Sequence, residues 1–127
     1  MKKLTLLSAM FMFCLYASAA GAEPIINAVW QVDSLVDDAE QQITYLDLDI
    51  EVGKYFLQAH GKIDLNTGAA PVHGSGYFVG SDLYIYLNCL WYSFVTMIDA
   101  SLNGTIEIFG ADGNSIDTGT LIFLGAE

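Results

Sequence analysis

Apolar and polar residues alternate at every second position through much of this chain, and this alternation is the feature that most constrains its fold. The clearest example lies in segment 42–64. There, one set of apolar residues alternates with a set of acidic ones: Leu46, Leu48, Ile50 and Val52 with Asp47, Asp49 and Glu51. Successive side chains of a β-strand point to opposite faces, so this pattern predicts strands with one apolar and one polar face.

A β-hairpin is predicted from Gln42 to Asp64. Gly53-Lys54 suits a two-residue turn, because glycine adopts a positive φ at little cost. Such a turn predicts three cross-strand pairs: Val52 with Tyr55, Ile50 with Leu57, and Asp47 with His60. In this register, apolar side chains meet on one face of the pair and polar side chains on the other.

Further apolar segments, separated by turn residues, bring the predicted total to about eight strands. Besides the two strands of the hairpin, they cover residues 27–32, 72–79, 83–90, 92–98, 105–109 and 116–124. The segment from Asp33 to Gln42 is ambiguous. It fits either a short helix capped by Ser34 or a hairpin loop over the polar residues 37–40.

These strands predict an all-β fold, either a small antiparallel up-and-down β-barrel or a compact β-sandwich. Closure into a barrel would remove the exposed strand edges that favour aggregation. Trp30 on the first predicted strand, together with glycine-rich later strands, resembles the small calycin barrels, the lipocalins and avidins. The resemblance implies shape only. Ala28-Val29 stands where those barrels have a glycine, and no biotin or lipocalin residue set can be assigned.

The first 22 residues have the features of a secretory signal peptide. Two lysines precede an apolar stretch over 4–16, and small residues then lead to an expected cleavage site after Ala22. The apolar stretch is shorter than the ~20 residues of a spanning helix, so no transmembrane segment is predicted in the mature chain. We therefore expect a signal peptide over 1–22 and a single β-barrel or sandwich domain over 23–127, exported to the periplasm or secreted.

The charge of the expected mature chain restricts its partners. Two lysines face fifteen acidic residues, giving a net charge of −13, and there is no arginine. Nucleic acid is not an expected partner, because phosphate binding depends on lysine and arginine. Anionic membrane surfaces are disfavoured for the same reason. A small apolar or cationic ligand, or a second protein chain, fits this charge better.

Few residues of the mature chain could carry catalytic or metal chemistry. The histidines are His60, predicted to face solvent opposite Asp47, and His73, and the one cysteine is Cys89. None of the spacings that bind zinc occurs, so no metal, no cofactor and no catalytic residue is predicted. Cys89 continues an apolar alternation, which favours a buried thiol over one paired between chains.

The aromatic residues give the main indication of function. Segment 83–98 is apolar on both sides, so its second face requires a cover: a subunit, a peptide, a ligand or segment 33–42. The predicted ligand or interface residues are Trp30, Tyr84, Tyr86, Trp91 and Tyr92.

Three functional hypotheses follow from these residues. The first is an exported small β-barrel that binds a neutral, apolar or cationic small ligand. The alternative is a structural or interaction protein that oligomerises or docks a partner through strands 83–98. The third, a barrel enzyme, requires His60 or His73 inside a cavity.

Overall fold

A computed structural model describes residues 25–126 of the chain. The described residues form eight β-strands and no helix. The strands are β1 (Ile25–Val36), β2 (Gln42–Val52), β3 (Leu57–Leu65), β4 (Gly68–Val79), β5 (Asp82–Asn88), β6 (Ser93–Ile98), β7 (Gly104–Phe109) and β8 (Ser115–Ala126). The predicted signal peptide lies outside the described residues.

The eight strands close into an up-and-down barrel. Each strand pairs antiparallel with the next one along the chain, and β8 returns to pair with β1. At this closing seam Trp30 lies opposite Phe123, and Val32 lies opposite Leu121. The prediction of a small up-and-down barrel is confirmed, and the sandwich alternative is excluded by the β1–β8 pairing.

Alternation along the strands builds the core. In β2, Leu46, Leu48 and Ile50 are fully buried inside the barrel, while Asp47 and Asp49 lie on the outer face. The same in-and-out pattern continues around the barrel, so that every strand contributes buried side chains. A barrel of eight strands is narrow enough for its own side chains to fill much of the interior.

The predicted pairing of β2 with β3 was wrong by two residues. Val52 lies opposite Leu57, and His60 lies opposite Asp49 instead of Asp47. The connecting loop holds four residues, and the Gly53 amide donates a 3.0 Å hydrogen bond to the Phe56 carbonyl. An even shift leaves every side chain on its predicted face, so the apolar and polar faces were right although the register was not.

The ambiguous segment 33–42 is a strand end followed by a hairpin loop. β1 continues to Val36, and residues 37–41 form the loop into β2. Ser34 caps no helix; it lies within β1 at a break in the pairing register and has a φ of 62°. The segment contains no helical turn because its backbone stays paired with β2 on either side of this bulge.

The barrel has two different ends. Loops 53–56, 80–81 and 99–103 lie at one end, which we call the closed end. There the buried indole of Trp30 donates a 2.8 Å hydrogen bond from Nε1 to the Leu102 carbonyl and meets Phe123 edge to face. The other end, which we call the mouth, carries the loops 37–41, 66–67, 89–92 and 110–114.

Candidate functional site

A cavity of about 470 Å³ opens at the mouth of the barrel. Its walls come from five strands, β2, β3, β4, β6 and β7, and from the loops 37–41 and 89–92. The lining residues are Asp37, Ile43, Ile63, Leu65, Ala69, Ala70, Pro71, Cys89, Leu90, Trp91, Tyr92, Phe94 and Ile108. We call this space the mouth cavity. Its size lies within the range of about 300–1,000 Å³ that is usual for small-molecule sites.

The mouth cavity exists because neighbouring strands differ in length. β5 ends at Asn88, where it pairs with His73, but β4 begins five residues before His73, at Gly68. Residues 68–72 pair with β3, and within residues 25–126 no strand pairs with their other edge. The loop 89–92 turns beside that edge and is closed by a 2.9 Å hydrogen bond from the Cys89 amide to the Tyr92 carbonyl. A lateral notch therefore remains in the barrel wall.

Pro71 explains why this open edge is not an obvious site for strand addition. Pro71 precedes the predicted strand 72–79, but it lies within β4, opposite Lys62 of β3. Proline has no amide hydrogen and is confined within sheets to edges and bulges. A proline on an exposed edge also blocks pairing with another strand. The notch is thus better suited to a ligand that contacts side chains than to an added strand.

The inner wall and the rim of the mouth cavity are both apolar. Ile43, Phe94 and Ile108 are buried side chains of β2, β6 and β7 that form part of its floor and walls. On the rim, Leu90 is 83% exposed and Trp91 is 67% exposed. Two large apolar side chains projecting beside an apolar cavity are typical of a contact surface for a ligand or partner.

One charged side chain, Asp37, lines the mouth cavity, although it is only 5% exposed. Its Oδ1 accepts hydrogen bonds from the amides of Ala39, at 2.9 Å, and Gln41, at 2.8 Å. These bonds shape loop 37–41, because an aspartate that binds amides two and four residues later stabilises a turn. They also offset part of the cost of burying a carboxylate.

A second contact joins two loops across the mouth. The Tyr92 hydroxyl donates a hydrogen bond to Oδ1 of Asp38, which connects loop 89–92 to loop 37–41. This hydrogen bond, with burial and the negative charges of Asp37 and Asp38, raises the pKa of Tyr92 to about 12. The hydrogen bond is the largest cause, because only the protonated hydroxyl can donate it, and the two carboxylates add a smaller electrostatic contribution.

The structure separates the five predicted site residues into three groups. Trp91 and Tyr92 line the mouth cavity. Trp30 is 2% exposed and belongs to the core of the closed end. Tyr84 and Tyr86 lie on the outer face of β5, because their neighbours Leu83, Ile85 and Leu87 point inward. The residues therefore do not form one site, and the mouth cavity uses two of them.

The outer face of β4 and β5 carries a group of stacked tyrosines. Tyr77 lies between Tyr84 and Tyr86, with ring centroids 6.0 and 6.2 Å away and interplanar angles of 21°. Val95 and Met97 of β6 lie directly opposite Tyr86 and Tyr84. We call these five residues the tyrosine surface. Segment 33–42 does not cover it, because that segment belongs to β1 and β2 across the barrel.

Both histidines lie on the outer surface. His60 and His73 are exposed and face each other across β3 and β4, and His60 Nε2 lies 3.7 Å from Asp49 Oδ2. The enzyme hypothesis required one of them inside a cavity, and neither is there. Among residues 25–126, no group of three or more His, Cys, Asp or Glu side chains is arranged to hold a metal ion.

Cys89 and Asp112 both have structural roles at the mouth end of the barrel. Cys89 is half-buried and belongs to the lining of the mouth cavity. Asp112 organises loop 110–114 by accepting hydrogen bonds from the backbone and side chain of Asn114, and these bonds lower its pKa.

No helix within the described part of the chain is long and apolar enough to cross a membrane.

Sequence reasoning missed most of the mouth cavity. Asp37, Ile43, Ile63, Phe94 and Ile108 were predicted only as loop or strand residues, without a shared site. They come from distant segments, and only the closed barrel brings them together. Pro71 was a usable signal, because proline within a sheet indicates an edge. At that position β4 has β3 on one side, but β5 is too short to pair with its other side.

Comparisons with protein-family models, with curated protein sequences and with solved structures found no match to this chain.

Proposed function

We propose that this protein is an exported binding protein that holds a small apolar ligand, neutral or cationic, in the mouth cavity. The observation that carries the proposal is an apolar cavity of about 470 Å³ that opens beside the exposed side chains of Leu90 and Trp91. A few polar groups in an otherwise apolar pocket are usual for small-molecule sites, where they fix the orientation of the ligand. Asp37 and Tyr92 supply those groups here.

Charge narrows the ligand class. The lining of the mouth cavity contains a carboxylate but no lysine, arginine or histidine. An anionic ligand would lose its hydration there without gaining a cationic partner, which is costly in an apolar site. A neutral or cationic ligand does not meet this cost. The proposed export rests on the signal-peptide pattern of the first 22 residues.

The first experiment is native mass spectrometry of protein purified from its own host. A bound small molecule in a 1:1 ratio is expected. For direct binding, the neutral fluorescent probe N-phenyl-1-naphthylamine should bind and should slow labelling of Cys89 by N-ethylmaleimide, because Cys89 belongs to the cavity lining. Protein that is always empty and indifferent to the probe would contradict the proposal.

A matched pair of variants tests the location. Ala70 lines the mouth cavity, whereas Ala111 is exposed in loop 110–114 at the same end of the barrel and is not part of the lining. Ala70→Phe should fill part of the cavity and weaken probe binding at least tenfold, and Ala111→Phe should leave it unchanged. Equal binding by both variants would place the probe elsewhere on the protein.

A second candidate function is partner binding through the tyrosine surface. The specific observation is that Tyr86 remains 42% exposed although strands 83–98 are apolar on both sides. Tyr84→Ser with Tyr86→Ser should then reduce oligomer size or partner capture in sedimentation and pull-down experiments. Tyr45→Ser is the control, since Tyr45 is similarly exposed on β2. Unchanged behaviour of the double variant would remove this candidate.

A further inference from the structure

Asp37 has one carboxylate oxygen, Oδ2, that accepts no hydrogen bond from the described residues. Both hydrogen bonds from loop 37–41 end on Oδ1. Among the described residues, no buried side-chain oxygen lacks a hydrogen-bond partner. Oδ2 has no such partner within residues 25–126, so this oxygen cannot be fully buried. Asp37 as a whole is 95% buried and lines the mouth cavity.

Among residues 25–126, no cationic side chain neutralises the charge of Asp37. Within the described part of the chain, neither Asp37 nor its neighbour Asp38 forms an ion pair. Lys54 lies in the loop 53–56 at the closed end, and Lys62 lies on the outer face of β3 opposite Asp47. A carboxylate that is largely removed from water and has no cationic partner is a favourable acceptor for a cation that brings its own N–H groups.

Two further features suit a cation at this position. The negative charges of Asp37 and Asp38 act together at the rim, where they contribute to the raised pKa of Tyr92. The rings of Trp91 and Tyr92 lie on the same lining, and aromatic faces attract cations. Deeper in the mouth cavity, Phe94 and Ile108 offer an apolar wall. The polar group of a ligand and its apolar body would therefore contact different parts of one site.

From this arrangement we infer that the ligand is an amphiphilic amine. Its protonated amino group donates to Oδ2 of Asp37, and its apolar body lies against Phe94 and Ile108. The inference rests on the proposed function and narrows its ligand class from neutral or cationic to cationic. An alcohol can also donate a hydrogen bond to this carboxylate, so the amine gains only the attraction between opposite charges. In a site that is largely removed from water, this attraction should make an amine bind at least about tenfold more tightly than an alcohol of equal chain length.

The test compares three eight-carbon compounds that differ only in their polar group: octylamine, octanol and octanoate. Each displaces N-phenyl-1-naphthylamine from the wild-type protein at neutral pH, and apparent dissociation constants follow from the displacement curves. Octylamine should bind at least tenfold more tightly than octanol, and octanoate should bind most weakly. This comparison uses the wild-type chain, so it gives an answer even if a variant does not fold.

Asp37→Asn then assigns the effect to one carboxylate. Asparagine keeps an oxygen that accepts the Ala39 and Gln41 amides, so loop 37–41 should persist. The variant should bind octylamine no better than octanol and should bind octanol as the wild type does. Asp112→Asn is the control, because it removes one negative charge at the same end of the barrel from a residue outside the lining. It should keep the preference for the amine.

The outcomes separate this inference from the function on which it rests. Equal binding of octylamine and octanol by the wild type would overturn the inference and leave the binding function standing. A preference for octylamine that survives in Asp37→Asn would also overturn it, since the cation would then bind elsewhere. Failure of all three compounds and of the probe itself to bind would overturn the proposed function.

Discussion

The same substitution at the two tryptophans should have very different consequences for stability. Trp30 is 2% exposed, and its indole hydrogen bond to the Leu102 carbonyl joins β1 to loop 99–103 at the closed end. Trp91 is 67% exposed on the rim of the mouth. We predict that Trp30→Phe strongly destabilises the barrel and that Trp91→Phe has little effect, within about 0.5 kcal/mol of the wild type.

The magnitude at Trp30 follows from two contributions. Phenylalanine cannot donate a hydrogen bond, so the buried Leu102 carbonyl loses its partner from Nε1, at a cost of about 1–3 kcal/mol. The smaller ring leaves a space of about 40 Å³, which at ~24 cal/mol per Å³ adds ~1 kcal/mol. The edge-to-face contact with Phe123 is also altered. Together these give a loss of about 2–4 kcal/mol, or roughly 10–25 °C in melting temperature.

Urea unfolding followed by circular dichroism measures both variants, and fluorescence checks the environments of the rings. In Trp91→Phe the remaining indole is buried, and its emission should be blue-shifted relative to that of Trp30→Phe, in which the remaining indole is exposed. A free energy of unfolding of Trp30→Phe within 0.5 kcal/mol of wild type would refute the assignment of Trp30 to the closed end.

Two further predictions concern strand packing and the contact across the mouth. A Cβ on Gly74 would lie 1.7 Å from the Tyr86 carbonyl oxygen, so Gly74→Ala should lower the free energy of unfolding in urea by about 1–3 kcal/mol. Gly125 has open space around it, so Gly125→Ala should leave the stability unchanged. Equal stability of the two variants would contradict the β4–β5 packing. The pKa of Tyr92, about 12, is above the ~10 of an unfolded tyrosine, so its contribution to stability should be present below about pH 10 and be lost as the pH rises towards 12. Absorbance titration against Tyr92→Phe should give that pKa and show it lowered by Asp38→Asn, and a difference titration centred near pH 10 would show that the contact is absent.

The sequence predicted the strands well because alternation is a local property. The in-or-out direction of Leu46, Asp47 and Ile50 depends only on the period of the strand, and it survived a register error of two residues. The error arose because Tyr55 was interpreted as the first residue of a strand. It lies instead in a four-residue loop, and loop length depends on turn geometry that no apolar pattern encodes.

The candidate site was less predictable because it depends on where strands end. Tyr86 and Trp91 appeared to belong to one aromatic surface, but β5 ends at Asn88 between them. One ring therefore lies on the outer barrel face and the other on the rim of the mouth. Asp37 belonged to a recognised polar cluster, yet no sequence pattern distinguishes the carboxylate that turns inward from its exposed neighbour Asp38.

Pairing between the first and last strands is the measurement that tests the closed barrel most directly. In nuclear magnetic resonance spectra, cross-strand nuclear Overhauser effects should join Gln31 to Ile122 and Asp33 to Thr120, and the β8 amides should exchange slowly with solvent. The mouth cavity depends on this seam, since an open sheet would not enclose it. Absence of these cross-strand effects, with rapid exchange along one edge of β8, would show an open sheet and contradict the account.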